Sequence, residues 1–133
     1  MSQENVDLVL RVLGQSRRNP TALFDVLDDD VHWDVGFLDI PDSAGTWHGP
    51  AGVREFFRRW VGAFDEWDYE VEDVIDAEHS VVVRVHQWGR GKGSGVSVDS
   101  DFWQVWNPRN GKVVRFRAYA TEAEALEAAG LSE

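Results

Sequence analysis

The chain contains no cysteine, so disulfides and thiolate-held zinc are excluded. No apolar run approaches the ~20 residues that a membrane-spanning helix needs. The first residues, Met1-Ser2-Gln3-Glu4, lack the basic stretch and apolar run of a secretory signal, and with the missing cysteines this leads us to expect a cytoplasmic protein. Basic residues are scarce: 13 against 24 acidic ones, for a net charge of −11. Such a chain repels phosphate backbones and anionic lipid, so neither nucleic acid nor membrane is expected as a partner. The four histidines follow no short metal-ligating spacing, and no metal or cofactor is expected. The glycine-rich run Gly89-Arg90-Gly91-Lys92-Gly93-Ser94-Gly95 is not followed by a helix, so it reads as a turn or lid, not a phosphate cradle.

What is present in excess is tryptophan, seven in 133 residues. A core of this size absorbs some of them. The others need a large apolar wall, at a pocket or a subunit interface. The length suits one domain spanning residues 1–133.

Hydrophobic periodicity divides the chain in two. Val6, Val9, Leu10 and Leu13 follow a helical stripe. Asn19-Pro20 opens a second helix that buries Leu23, Phe24 and Leu27 and ends near Asp28-Asp29-Asp30. Val31, Trp33 and Val35 alternate with His32 and Asp34 as a short strand, which puts Trp33 and Val35 inward. Residues 36–49 read mainly as loop with room for one short strand. Pro50 opens the strongest amphipathic helix, with Val53, Phe56, Phe57, Trp60 and Phe64 on one face. From Trp67 the period becomes two. Strands are predicted around Tyr69–Ile75, around Val81–Val85, over residues 96–106 and over residues 112–119, with an Asn110-Gly111 turn before the last. Thr121 and Glu124 form a capping box for a short final helix that stops at Gly130. Helices gathered ahead of an antiparallel meander define an α+β fold. We expect a strongly curved, mostly antiparallel sheet wrapped around the long helix, with two further N-terminal helices and a ligand cavity between sheet and helix.

Three segments resemble the SnoaL-like family of the nuclear-transport-factor-2-like superfamily, whose fold is a cone-shaped, cystatin-like barrel. They are Leu27-Asp28-Asp29-Asp30-Val31-His32-Trp33-Asp34, Trp47-His48-Gly49-Pro50-Ala51-Gly52-Val53-Arg54-Glu55-Phe56-Phe57, and Asn110-Gly111-Lys112-Val113-Val114-Arg115-Phe116-Arg117-Ala118-Tyr119. The resemblance implies a pocket for a small apolar molecule and a homodimer. It spans polyketide cyclases, ketosteroid isomerases and limonene epoxide hydrolases, and a fold alone does not choose among them. Arg84-Val85-His86 lies where the epoxide hydrolases carry Arg-x-Asp, and Ala118 stands where their second aspartate falls. Asp101 lies on or near the late aspartate of the isomerases, and their base falls on Val35, or on Asp34 if the register slips. The resemblance places Arg84 and Asp101 facing inward.

Residues paired across an antiparallel hairpin have a constant sum of residue numbers. If that sum is odd, Arg84, His86 and Trp88 share one face with Asp99, Asp101 and Trp103. A bulge in the glycine-rich turn would flip the relation. Such a cluster offers acid/base chemistry on a carbonyl compound: His86 as base, Asp99 or Asp101 as its partner, and Arg84 as the stabiliser of an enolate oxygen. The competing reading is a structural Arg84–Asp101 ion pair with His86 hydrogen-bonded to it. Trp33, Val35, Trp47, Phe57, Trp60, Trp88, Trp103, Phe116 and Ala118 are the expected ligand-binding wall. Phe102, Gln104 and Trp106, with Arg115, Arg117 and Tyr119, are expected on the outer face, where mixed aromatic and arginine composition suits a homodimer interface. Two functions are compatible with this pattern: a cofactor-independent isomerase, cyclase or hydrolase, or a non-catalytic ligand-binding domain.

Overall fold

A computed structural model of the chain describes residues 2–15, 21–35, 45–93 and 97–131. Over these residues the elements run α1 (Ser2–Gln15), a single 3-10 turn (Phe24–Val26), β1 (Leu27–Asp34), β2 (Thr46–His48), α2 (Gly49–Gly62), β3 (Phe64–Asp76), β4 (Val81–Gly91), β5 (Ser97–Arg109), β6 (Lys112–Tyr119) and α3 (Glu122–Ala128). The strands form one open sheet in the order β2-β1-β6-β5-β4-β3. Every neighbouring pair is antiparallel except β1 and β6, which run parallel. The α+β class and the long meander are as the sequence predicts.

The second N-terminal helix is not formed over the described residues. Asn19 and Pro20 lie outside them, and Thr21 to Val26 form a turn that leads into the short 3-10 segment. The chain turns extended at Leu27 (φ −78°, ψ 135°), because Leu27 pairs with Val113 and starts β1 four residues earlier than the alternation suggests. The register shift between Leu27 and His32 absorbs the acidic run Asp28-Asp29-Asp30, which has no apolar face of its own to bury. Residues 36–44, expected mainly as loop, and 94–96, expected as the end of the glycine-rich turn and the start of the next strand, also lie outside the described set.

The helices take different sides of the sheet. Leu8, Val9, Val12 and Leu13 of α1 join Val53, Phe56 and Trp60 of α2 in one core with Val31, Trp33, Val81, Val83, Val85, Val113 and Phe116. The α1 stripe is therefore rotated from the predicted one, and Leu10 is left exposed. On the opposite face α3 covers only one end of the sheet, where Ala125 packs with Val82, Val105 and Tyr119. Burial on both faces explains why Val81, Val82 and Val83 are buried in succession. The Thr121 side chain accepts the Glu124 backbone N–H at 3.3 Å, which fixes the start of α3 as its capping box predicts. Phe64 belongs to β3, since α2 ends at Gly62, but its ring still lies 5.0 Å from that of Trp60.

Two glycine positions govern the hairpins. Asn110 (φ 52°) and Gly111 (φ 78°) form the two-residue β5–β6 turn, which needs positive φ at both positions. Gly89 pairs with Trp67 across β3 and β4, beside the register shift between Phe64 and Glu66. A Cβ there would stand 2.4 Å from the Glu66 carbonyl oxygen and 3.1 Å from the Trp67 Cα. Backbone, unlike a flexible side chain, cannot step aside. We expect Gly89→Ala to cost roughly 1–3 kcal/mol of stability, read from urea unfolding midpoints.

Candidate functional site

The pairing of β4 with β5 decides what each face of the sheet carries. Val83 pairs with Gln104, Arg84 with Trp103, Val85 with Phe102, His86 with Asp101 and Trp88 with Asp99. The sum is odd, and the pairing is unbroken by any bulge. Arg84, His86, Trp88, Asp99, Asp101 and Trp103 therefore do share a face. That face is the outer one. Val81, Val83 and Val85 enter the main core, whereas Arg84 and Trp88 are exposed. The expectation that the Arg84–His86–Asp101 cluster points into the hollow is corrected here. An inward row of Arg84 and His86 would force three valines into solvent.

The inner face, with α2, forms a partly open cavity of about 70 Å³. Trp33, Val35, Phe57, Trp60, Phe116 and Ala118 line it, as the sequence leads one to expect. Three of the nominated wall residues are elsewhere. Trp88 and Trp103 lie on the outer face by strand parity. Trp47 packs beside Phe56, with ring centres 6.1 Å apart and the Arg59 guanidinium 5.4 Å above it. Their places are taken by Phe56, Trp67, Gln87, Phe102 and Gln104. Phe102, Gln104 and Trp106 thus face inward, against expectation. The signal that finds them is the Val81, Val83, Val85 row: whatever pairs with it across β5 lies on the same side. Arg115 and Arg117 are outward and exposed, as expected, and Tyr119 is outward but covered by α3.

The cavity wall is aromatic and interlocked. Trp33 stacks on Phe116 at 3.9 Å with 12° between planes and meets Phe57 edge-on at 5.6 Å. Trp60 meets Trp67 edge-on at 5.8 Å. No ionisable side chain lines the cavity among the described residues. Its polar groups are the carboxamides of Gln87 and Gln104. The Trp67 indole N–H donates to Gln87 Oε1 at 3.0 Å, and the Trp106 indole N–H donates to Gln104 Oε1 at 2.9 Å.

On the outer face the ionic cluster is tightly built. Asp101 accepts from Arg84 Nε at 3.1 Å and Nη2 at 2.5 Å, and its other oxygen lies 2.6 Å from His86 Nδ1. His86 Nε2 lies 2.9 Å from Asp99. A carboxylate only accepts, so an imidazole held between two of them donates from both nitrogens and is cationic. The Asp101 hydrogen bond raises the His86 pKa above 6.5; burial opposes it, and the Asp99 charge adds to the rise. Asp101 is held below its ordinary 3.8 by the His86 and Arg84 hydrogen bonds. The other histidines form no such cluster: His32 and His48 pair edge-on at 4.6 Å across β1 and β2, and His79 is exposed in a turn. Asp34 lies 3.4 Å from Arg117. Among the described residues no group of three or more His, Asp or Glu is placed to hold a metal ion, and no helix is long and apolar enough to cross a membrane.

An open, curved six-stranded sheet with its apolar hollow under one long helix is the nuclear-transport-factor-2-like architecture, also called cystatin-like. The SnoaL-like domain model matches residues 11–116, most of the chain, and the protein belongs to that family. Solved structures agree on the fold. TerC, co-crystallised with polyporic acid, is 21% identical with a TM-score of 0.75, covering 95% of this chain and 98% of its own. A nuclear-transport-factor-2-like protein from Burkholderia pseudomallei K96243 is 25% identical with a TM-score of 0.75, covering 92% and 95%. A protein of ketosteroid isomerase-like fold from Catenulispora acidiphila DSM 44928, in complex with trimethylamine, is 14% identical with a TM-score of 0.71, covering 92% of each chain. No curated protein matches the chain.

The outer cluster imposes a pH dependence whose sign is set by the two shifts. His86, raised on folding, stabilises fully below its unfolded value and loses that contribution as pH rises through the folded one. Asp101, lowered on folding, stabilises above its unfolded value and loses that contribution as pH falls through the folded one. We expect an NMR titration midpoint for His86 above 6.5. The decline in urea midpoint as pH rises above about 6.5 should flatten in His86→Gln.

Proposed function

We propose that this protein is a small-molecule-binding domain whose site is the aromatic cavity beneath α2, and that it recognises its ligand by shape and stacking instead of by charge. One observation supports this above the others: among the described residues the wall holds aromatic rings, two aliphatic side chains and two carboxamides, and no acid, base or nucleophile. Isomerase, cyclase or hydrolase chemistry by His86, Asp101 and Arg84 requires those groups at the ligand, and they lie on the other side of the sheet. The non-catalytic reading is thus favoured. In their present places these three groups act as a structural ion pair with a bridging histidine.

The cavity, at about 70 Å³, is smaller than the ~150 Å³ in which an engineered apolar cavity holds benzene. A one-ring ligand therefore enters with movement of the wall, in which Phe57, Trp67 and Phe102 are only partly buried. Ala118 is the smallest lining residue and lies at the cavity's inner side on β6. We expect Ala118→Leu to fill the space and abolish quenching of tryptophan fluorescence by small aromatic ligands while the protein stays folded. His86→Ala and Asp101→Asn should leave ligand affinity unchanged. A loss of affinity in those two variants, with Ala118→Leu still binding, would return the site to the outer face.

The partner proposed for the outer face is a second copy of the chain. Asp68, Glu70 and Asp73 line its β3 margin, and Arg115 and Arg117 lie on β6 toward the other margin. A two-fold axis parallel to the strands lays each acidic margin over the partner's basic one, with Trp88 between. Sedimentation should show a dimer, and Arg115→Glu with Arg117→Glu should shift it to monomer.

A further inference from the structure

A second depression lies away from the hollow. Where β3 turns into β4 and β5 turns into β6, an open groove of about 580 Å³ runs between the two turns and the start of α1. No residue that borders it lines the aromatic cavity.

Its walls are held by hydrogen bonds. Asn5 Nδ2 donates to the Glu78 carbonyl oxygen at 3.3 Å, which ties α1 to the β3–β4 turn. Within that turn Asp76 Oδ1 accepts the Glu78 N–H, and the Ser80 carbonyl accepts the Ala77 N–H, each at 2.9 Å. On the other wall the β5–β6 register shifts between Asn107 and Pro108. Such irregularities re-aim side chains and concentrate beside functional sites. Glu78 (φ 68°) and Asn110 (φ 52°) are the only non-glycine residues with positive φ among the described residues, and both border this groove. Asparagine tolerates that conformation; glutamate does so poorly. A glycine at position 78 would relax the turn, so the carboxylate stands there against backbone strain.

Among the described residues the groove is bordered by one carboxylate, Glu78, and one permanent cation, Arg109. Both are exposed, and neither side chain has a hydrogen bond or ion pair among the described residues. Elsewhere the arginines are engaged: Arg58 and Arg59 share Glu55, Arg84 holds Asp101, Arg90 faces Glu66 and Arg117 faces Asp34. Here two opposite charges border one space without joining. A simple anion is drawn by Arg109 and repelled by Glu78, and a simple cation meets the reverse. A molecule that carries both charges satisfies both groups at once. The carboxamides of Asn107 and Asn110 and the His79 imidazole border the same space, also without side-chain partners among the described residues, and add neutral hydrogen-bonding groups.

We propose that this groove is a second binding site, for a small zwitterion of the α-amino-acid class. Arg109 takes the ligand's carboxylate with its parallel N–H donors, and Glu78 takes its ammonium.

Three probes separate the charges: alanine, N-acetylalanine, which keeps only the carboxylate, and alaninamide, which keeps only the ammonium. Binding is followed in ¹H–¹⁵N spectra through the side-chain NH₂ signals of Asn107 and Asn110 and the Arg109 Nε–H. The indole signals of Trp33 and Trp60 report on the hollow. Alanine should bind roughly three- to fivefold tighter than either derivative, the gain that one solvent-exposed charge pair supplies. The two indole signals should stay in place. Arg109→Gln should bring alanine down to the affinity of alaninamide, and Glu78→Gln should bring it down to that of N-acetylalanine. Both side chains are exposed, so the variants keep the fold. Either derivative binding as tightly as alanine overturns the proposal. So do shifts confined to the Trp33 and Trp60 indoles, or no shift with any of the three probes.

Discussion

The architecture of this protein turns on the alternation of side chains along β4 and its unbroken register with β5. Val81, Val83, Val85 and Gln87 look one way, and Val82, Arg84, His86 and Trp88 look the other. A one-residue slip would bury a guanidinium and an imidazole and expose a row of valines, at a cost of several kcal/mol for each unpaired charge. With the register fixed, the neighbouring strands have no freedom. Phe102, Gln104 and Trp106 fall inside with the valines, and Phe116 and Ala118 join them across β6. One face becomes a cavity wall without charge among the described residues, and the other becomes a lattice of charges.

The two faces use polar groups for different ends. Outside, His86 between Asp99 and Asp101, with Arg84 on the same carboxylate, ties β4 to β5 by charge at a position water still reaches. Solvent screening makes such a cluster a modest contributor to stability and a sensitive one to pH. Inside, the polar groups are neutral, so they neither repel apolar ligands nor vary with pH across the physiological range. The same residue types that suggest catalysis when read along the chain thus serve cohesion once folded. Acid/base function needs a substrate within reach, and the ion cluster and the hollow are separated by the thickness of the sheet.

Much of this was legible in the sequence. The helix beginning at Pro50, the Asn110-Gly111 turn, the extent of β6 and the Thr121 capping box each rest on local chemistry that tertiary structure had no reason to override. The odd pairing sum, which groups Arg84 and His86 with Asp99 and Asp101, is also within reach of strand geometry. The sum alone does not say which face those residues occupy. The valine row states the answer, but the likeness to relatives with inward arginine and aspartate points the other way. This chain lines its interior with Gln87 and Gln104 and turns its charges outward. The second N-terminal helix fails for a different reason. Leu23, Phe24 and Leu27 suit a helix by spacing, yet Leu27 gains more by pairing with Val113 at the head of a parallel strand than by closing a last helical turn.

The surplus of tryptophan, finally, explains the glutamines. Trp33, Trp47, Trp60, Trp67 and Trp106 all gather with the main core or its margin, and an indole N–H buried there loses its water. An apolar wall contains no acceptor for them, and backbone carbonyls within a sheet are already committed to the ladder. A carboxylate would accept, at the cost of a buried charge. A carboxamide accepts at lower cost, and for that reason the inner face carries Gln87 opposite Trp67 and Gln104 beside Trp106. Aromatic bulk that was needed to build the wall therefore brings its own neutral acceptors with it, and the two carboxamides keep the inner face free of charge.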